Sequence, residues 1–348
     1  MAARKHKLAV RSEPPAAAQD ARTDGNLGRI VRLLSDNATL VVSGTKIAQE
    51  LGATRSAVWR MVEQLRGLGV AIAGHSATGY RLERIPDLLL PEIVAPLVSG
   101  TMFAEPLHHY FRISSTNTVA MQAAAEGKPE GAVFVAEQQT AGRGRGGHSW
   151  DSPPSSGIYA SLLLRPRMTP ADVLPLSLAS GLAVRDAVRE VTGQACDLRW
   201  PNDVLLNDRK VCGILAEMSA EATRVRHVVV GIGLNVNQGE FPAELAAEAT
   251  SLRIECGHEW SRVELLAAVL KALDHRYRAL QNQDGAAQVL RDFEAASSYA
   301  RGLHVRVEED SSFEGKTEGL DPQGFLLVRT ATSLRRVLSG GVRPVTPV

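Results

Sequence analysis

A chain of 348 residues, 44% hydrophobic and 22% charged, is long enough for two or three packed domains and ordinary in composition. No apolar run approaches the roughly 18 residues of a membrane span, and the three widely spaced cysteines fit neither a disulfide framework nor a zinc site. The net charge of +1 hides an asymmetry, since residues 1–85 carry 13 Lys/Arg against 7 Asp/Glu and the remainder 26 against 31, so an anionic partner is expected only at the N-terminal end.

Residues 1–27, rich in Ala, Pro and Arg and without the apolar stretch of a secretory signal, read as a disordered tail of a cytoplasmic protein. From 28 to 85 the pattern is helical. Ile30, Leu33 and Leu34 open it, Ile47 and Leu51 follow, and Val58, Met61, Val62 and Leu65 keep the spacing of one helix face. Thr54 is placed to cap the third helix. VAIA, GHSATG and YRL then make a hairpin. Three helices and a hairpin describe a winged helix-turn-helix, with Thr45, Arg55, Ser56, Trp59, Arg60 and Gln64 as the residues facing DNA.

Residues 86–100 carry three prolines and read as a connector. From 101 to 297 strands (LHHYFRI, AVFVAE, IYASLLL, DLRWP, VLLN, VCGILAEM, HVVVGIGL) alternate with helices expected at Thr118–Gly127, Ala171–Thr192 and Arg262–Gln281. Residues 298–348 break into short apolar pieces at turn signals, the pattern of a small β-barrel. The expected class is therefore multidomain α+β.

The stretch T140-A-G-R-G-R-G-G-H-S-W150 contains a literal G-x-G-x-x-G. A dinucleotide-binding loop needs a helix directly afterwards and an acidic residue about 20 positions on. Here D151-S-P-P-S-S-G157 forbids the helix, and the first acidic residue after Asp151 is Asp172. What the loop does offer is glycines that allow close backbone approach and two arginine forks for carboxylate or phosphate. Such a loop suits the joining of two anions.

Further pieces share that chemistry: S115-T-N117, E137-Q-Q-T-A-G-R-G-R145, W150, I158-Y159, R199-W-P-N-D203, D208-R-K-V-C-G-I-L215 and G231-I-G-L-N235. With these residues, over about 28–348, the chain resembles the biotin protein ligases, and more closely the bifunctional biotin ligase–repressors. The resemblance implies a central mixed sheet, a C-terminal SH3-like barrel, and a two-step reaction using biotin, ATP and Mg²⁺. Lys210, Arg143, Arg145 and Asp203 would be catalytic. Biotin would be held by Ser115, Thr116, Asn117, Gln139, Gly142, Arg143, Gly144, Arg145, Tyr159, Lys210, Gly213, Gly231 and Gly233. The adenylate would be held by Arg143, Arg145, Trp150, Asn202, Asp203, Lys210 and Asn235, with no side chain assigned as a metal ligand. Implied partners are a biotin carboxyl carrier domain, operator DNA and a second copy of the chain, and no membrane.

One departure stands out. The family's loop commonly reads G-R-G-R-R-G-R, whereas this one reads G142-R-G-R-G-G-H148. Two cationic positions have become Gly146 and His148, so slower loop ordering and faster leakage of the intermediate are expected. Three alternatives remain: a biotin sensor without ligase activity, a ligase whose winged helix no longer regulates, and a related lipoate-type ligase, which the Gly-Arg loop disfavours.

Overall fold

The computed structural model describes residues 16–37, 39–75, 79–83, 87–308 and 311–345. They form two compact units that divide between Pro86 and Asp87.

In the first unit, helix α1 spans Ala16–Ser35, α2 Gly44–Leu51 and α3 Arg55–Gly67. The first helix thus begins well inside the segment expected to be a disordered tail; the rest of that tail, residues 1–15, lies outside the described residues. Leu27, Ile30, Val31 and Leu34, all fully buried, form the inner stripe of its C-terminal half. Ser43 Oγ accepts from Lys46 N (3.1 Å) and Thr54 Oγ1 from Ala57 N (3.2 Å), so both later helices start on a side-chain cap. Gly52 ends α2 in the left-handed conformation at φ 61°.

Strands β1 (Ile72–His75) and β2 (Gly79–Leu82) pair antiparallel, and Val42 bridges Tyr80 as a third edge. A side chain at Gly79 would meet Val42 O at 2.1 Å, and its φ is 141°. Glycine is required there. The expected hairpin is present, with its tip, residues 76–78, outside the described residues.

The second unit opens with α4 (Pro91–Leu97). Residues 86–100 were expected to be a connector, but Leu89, Val94 and Val98 are buried in the main core. This segment is part of the second unit because its apolar side chains have a core to enter. There follow β3 (Leu107–Tyr110), α5 (Thr116–Ala125), β4 (Val133–Ala136), β5 (Gly157–Leu164), α6 (Leu174–Thr192), β6 (Asp197–Arg199), β7 (Asp203–Leu206), β8 (Arg209–Ala220) and β9 (Val225–Asn235). The seven strands make one sheet in the order β3-β4-β5-β9-β8-β7-β6, with β3 and β4 parallel and the other neighbours antiparallel. After β9 come α7 (Leu252–Cys256), α8 (Arg262–Leu280) and α9 (Gly285–Ala296).

The two sheet faces differ. Ile158, Ala160, Leu162, Val230 and Ile232 join the large core that also takes in the inner residues of α6 and α8. The alternate residues Leu163, Val229 and Phe134 pack against Ala120, Ala123 and Ala124 of α5. This alternation is the period-two consequence of a strand covered on both faces, and all eight residues of β5 are buried.

Strands β10 (Arg301–Glu308), β11 (Phe313–Leu320), β12 (Leu326–Arg329), β13 (Leu334–Val337) and β14 (Gly341–Pro344) form an antiparallel sheet in the order β13-β12-β11-β10-β14. Its inner residues Val305, Val307, Leu326, Val328, Val337 and Val342 belong to the same core as the seven-stranded sheet. Trp200 Nε1 donates to Gly324 O at 2.9 Å.

Candidate active site

The pocket lies over the α5 face of the sheet, where three glycines open the floor. A side chain at Gly231 would meet Asn117 Oδ1 at 2.2 Å, and one at Gly233 would meet the Trp150 indole at 2.4 Å. One at Gly213 would meet the same indole at 2.8 Å and Lys210 Cε at 3.1 Å. Removing Cβ from these positions lets Asn117 and Trp150 lie on the strands themselves.

One side of the pocket is neutral and hydrogen-bonding. Gln139 Oε1 accepts from Thr116 N (2.9 Å) and Thr116 Oγ1 (3.1 Å), while its Nε2 donates to Ser152 Oγ (3.0 Å). Ser161 Oγ lies 2.8 Å from Thr116 Oγ1 and 2.5 Å from Asn117 Oδ1. Ser115, buried at the start of α5, makes no side-chain capping bond there.

The other side is cationic. Lys210 Nζ lies 2.6 Å from Asp203 Oδ1 and 5.4 Å from the Trp150 ring centroid. Asp203 is shared, since Arg199 Nη2 reaches its Oδ2 at 2.7 Å. Lys210 precedes Gly213 by three positions, an offset that in a regular strand would send it to the opposite face. The β7–β8 register shifts between Val204 and Leu205, and this irregularity turns Lys210 back toward the pocket.

Arg143 and Arg145 reach the pocket from the glycine loop. Arg143 Nη2 pairs with Glu217 Oε1 at 2.6 Å. Arg145 Nη1 donates to Gly340 O at 3.3 Å, and its guanidinium lies 6.0 Å from the Trp200 ring centroid. Burial lowers the Arg145 pKa from its ordinary value, and the Asp203 charge opposes this. Gly146 and Gly147 hold φ of 68° and 81°, so the two glycines of the lightly charged loop are in left-handed geometry.

Of the residues expected at the site, Ser115, Thr116, Asn117, Gln139, Arg143, Gly144, Arg145, Trp150, Asn202, Lys210, Gly213, Gly231 and Gly233 line this one pocket. Asp203 stands behind Lys210. Three others are placed differently. Tyr159 runs over Gly157 and donates to Pro153 O (3.0 Å), supporting the proline turn after Trp150 rather than the ligand space. Asn235 is buried, bonded to Thr250 O (3.0 Å) and to Gln238 Nε2 (3.1 Å). Gly142 packs on the Trp150 backbone, where a Cβ would lie 2.4 Å from the carbonyl oxygen. These three shape the site from outside it.

Two carboxylates were not singled out by sequence. Glu217, on β8, borders the pocket through its bonds to Arg143 and Asn117. Glu137, at the root of the glycine loop, is fully buried and accepts from Leu89 N (2.9 Å), with His109 Nε2 at 3.1 Å and Arg262 Nη1 at 2.8 Å. Burial alone would raise its pKa. Arg262, then His109 and the Leu89 amide, outweigh that and bring it down to about 2. Among the described residues no group of three or more His, Cys, Asp or Glu is placed to hold a metal ion.

In the first unit Thr45, Arg55, Ser56, Trp59, Arg60 and Gln64 are all exposed. Trp59, 56% exposed, is a large apolar ring left in water on the helix expected to face DNA.

Residues 110–235 match the biotin/lipoate A/B protein ligase family, 302–342 the biotin protein ligase C-terminal domain, and 27–81 an HTH domain. The bifunctional ligase/repressor BirA of Bacillus subtilis is 35% identical over 318 residues, covering 90% of this chain and 97% of its own. The chain belongs to the biotin protein ligase family. The BirA of Escherichia coli is 28% identical, covering 86% of this chain and 92% of its own. A solved biotin protein ligase from Aquifex aeolicus, in complex with biotin and ATP, superposes with a TM-score of 0.61 at 32% identity, covering 69% of this chain and all of that one. With an HTH domain ahead of the ligase and C-terminal domains, this biotin protein ligase has the make-up of the bifunctional ligase/repressors. No helix among the described residues is long and apolar enough to cross a membrane.

Proposed function

We propose that the protein activates biotin with ATP and transfers it to a lysine of a biotin carboxyl carrier domain. The observation that carries this reading is the convergence of Lys210, Arg143 and Arg145 on a pocket whose other side is built from Ser115, Thr116, Asn117 and Gln139. The neutral side suits a uncharged ring system with hydrogen-bonding groups. The cationic side suits a carboxylate and a phosphate that repel each other.

In the first step a carboxylate oxygen of biotin attacks the α-phosphorus of ATP, and the bond to pyrophosphate breaks. Lys210 and the loop arginines neutralise charge that grows on the phosphoryl oxygens. Mg²⁺ enters with ATP as part of that substrate, held chiefly by its phosphates. Trp150 and the loop shield the acyl adenylate from water. In the second step the carrier lysine amine attacks the acyl carbon and AMP leaves. Asp203, which already holds Lys210, is the carboxylate we assign to assist that amine.

The winged helix extends the proposal. Loaded with adenylate, a homodimer would bind operator DNA and repress biotin genes in the cytoplasm, α3 entering the major groove. Two assays test these readings. Incubation with ATP, labelled biotin and a carrier domain yields labelled carrier; none would remove the ligase assignment. A gel shift on DNA upstream of biotin genes, with and without biotin and ATP, shows ligand-dependent binding; its absence leaves a ligase without regulation.

A further inference from the structure

Glu217 places a carboxylate at the edge of a pocket built for anions, within reach of two residues that line it, Arg143 and Asn117. It is not spare: Oε1 takes Arg143 Nη2 at 2.6 Å and Oε2 takes Asn117 Nδ2 at 2.9 Å. Its side chain is 23% exposed and that of Arg143 50%, so the pair sits at the water boundary where ligand and carboxylate compete on similar terms. Lys210 is held by a carboxylate in the same way, Asp203, whereas Arg145 donates to the neutral Gly340 carbonyl. Asp203 keeps a second cation, Arg199, whenever Lys210 turns to a ligand. Glu217 keeps only the Asn117 amide.

We propose that Glu217 is a placeholder for the ligand's anionic group: it holds Arg143, and with it the glycine loop, against α5 until a phosphate or carboxylate takes the guanidinium. A carboxylate left facing the ligand would repel it, and a guanidinium satisfies one anion bidentately better than two at once. Exchange of Arg143 from Glu217 to the ligand is therefore the event that commits the loop to closure. Glu217 acts through Arg143 as a positioning residue. This rests on the ligase reading for the identity of the ligand, but not for the pairing itself.

Trypsin cleaves after arginine, so Arg143 and Arg145 report loop exposure without any ligand. In Glu217→Gln, whose amide oxygen still accepts from Asn117, cleavage at these two sites in the ligand-free protein rises about three- to fivefold, the range of a partly exposed ion pair. Cleavage elsewhere is unchanged. The KM for biotin falls by a similar factor while kcat stays within about twofold, because the competing anion is gone. In Arg143→Gln, cleavage at Arg145 rises equally, and adding Glu217→Gln to it changes nothing further. Unchanged loop cleavage, a raised KM, or an additive effect in the double variant overturns the proposal. Should the wild type make no biotinyl-adenylate, the ligase reading fails while the cleavage result still judges the latch.

Discussion

Arg262 Nη1 and Glu137 Oε2 lie 2.8 Å apart with side chains 1% and 0% exposed. Around this buried pair, Arg262 Nε reaches Asp87 Oδ2 (3.1 Å), Val263 N donates to Asp87 Oδ1 (3.1 Å), and Arg262 Nη1 donates to Gly157 O (3.2 Å). The network ties residues 87–89, the start of α8 and the root of the glycine loop into one cluster. Breaking a buried pair by removing one partner leaves an uncompensated charge, typically costing about 3–5 kcal/mol. Arg262→Met is therefore expected to destabilise the second unit by about that much, and Glu137→Gln/Arg262→Met by clearly less. Urea unfolding followed by the fluorescence of Trp150, Trp200 and Trp260, all in that unit, measures both.

The same pair sets an acid limit. The Glu137 carboxyl is lowered from 4.5 to about 2 in the folded protein, so its stabilisation is complete above the ordinary carboxylate range and is lost as pH falls from there toward 2. The second unit should lose stability over that interval in the wild type, with a shallower loss in Glu137→Gln. Equal slopes in the two proteins would count against the assignment.

Lys210 is the cation whose position depends on the irregularity in β8. Lys210→Met is expected to lower the rate of adenylate formation by about 10²–10³, the cost of losing one preorganised charge at a developing anion. Pyrophosphate release under saturating biotin reads this directly. Folding should be spared, because Lys210 is partly exposed and its partner Asp203 keeps Arg199.

The floor glycines make a separate prediction. Gly233→Ala puts a methyl 2.4 Å from the Trp150 indole and Gly231→Ala one 2.2 Å from Asn117 Oδ1. Each should raise KM for substrate at least about tenfold, since a displacement of about 1 Å at the reacting groups can cost 10²-fold. Neither position has a positive φ, so thermal stability should move less than binding. Binding titrations beside thermal scans separate the two effects.

The light charge of the loop remains to be measured. Gly146 sits at φ 68° and ψ 20°, so an arginine there carries backbone strain of about 1 kcal/mol in addition to its charge. His148→Arg, at φ −65°, restores a cation without that strain and is the cleaner variant. It should slow release of free biotinyl-adenylate relative to wild type; equal release rates would mean that the missing cations do not govern retention.

Most of the pocket was legible because its residues come in short local runs: S115-T-N117, G142-R-G-R145, W200-P-N-D203. Short apolar segments such as AVFVAE and IYASLLL marked each β-element of the central sheet to within a few residues. What sequence missed is long-range. Glu137, Arg262 and Asp87 become partners only across as many as 175 positions, and Glu217 reads in ILAEM as an ordinary exposed strand residue. Tyr159 was assigned to the ligand by the resemblance alone, and the course of its ring over Gly157 to Pro153 O is not legible in the sequence. Helix α9 begins with D284-G-A-A, a weak start signal, and was passed over.

Trp200 donating to Gly324, with barrel valines in the core of the seven-stranded sheet, gives the two seams of this chain unequal character. Recombination at residue 86 exchanges the HTH domain and leaves the second unit with its own interior. A crossover near residue 298 would instead strip Trp200 of its acceptor and expose the underside of the strand end that carries Asp203. The N-terminal unit is thus a separable module, whereas the C-terminal barrel shares its interior with the seven-stranded sheet.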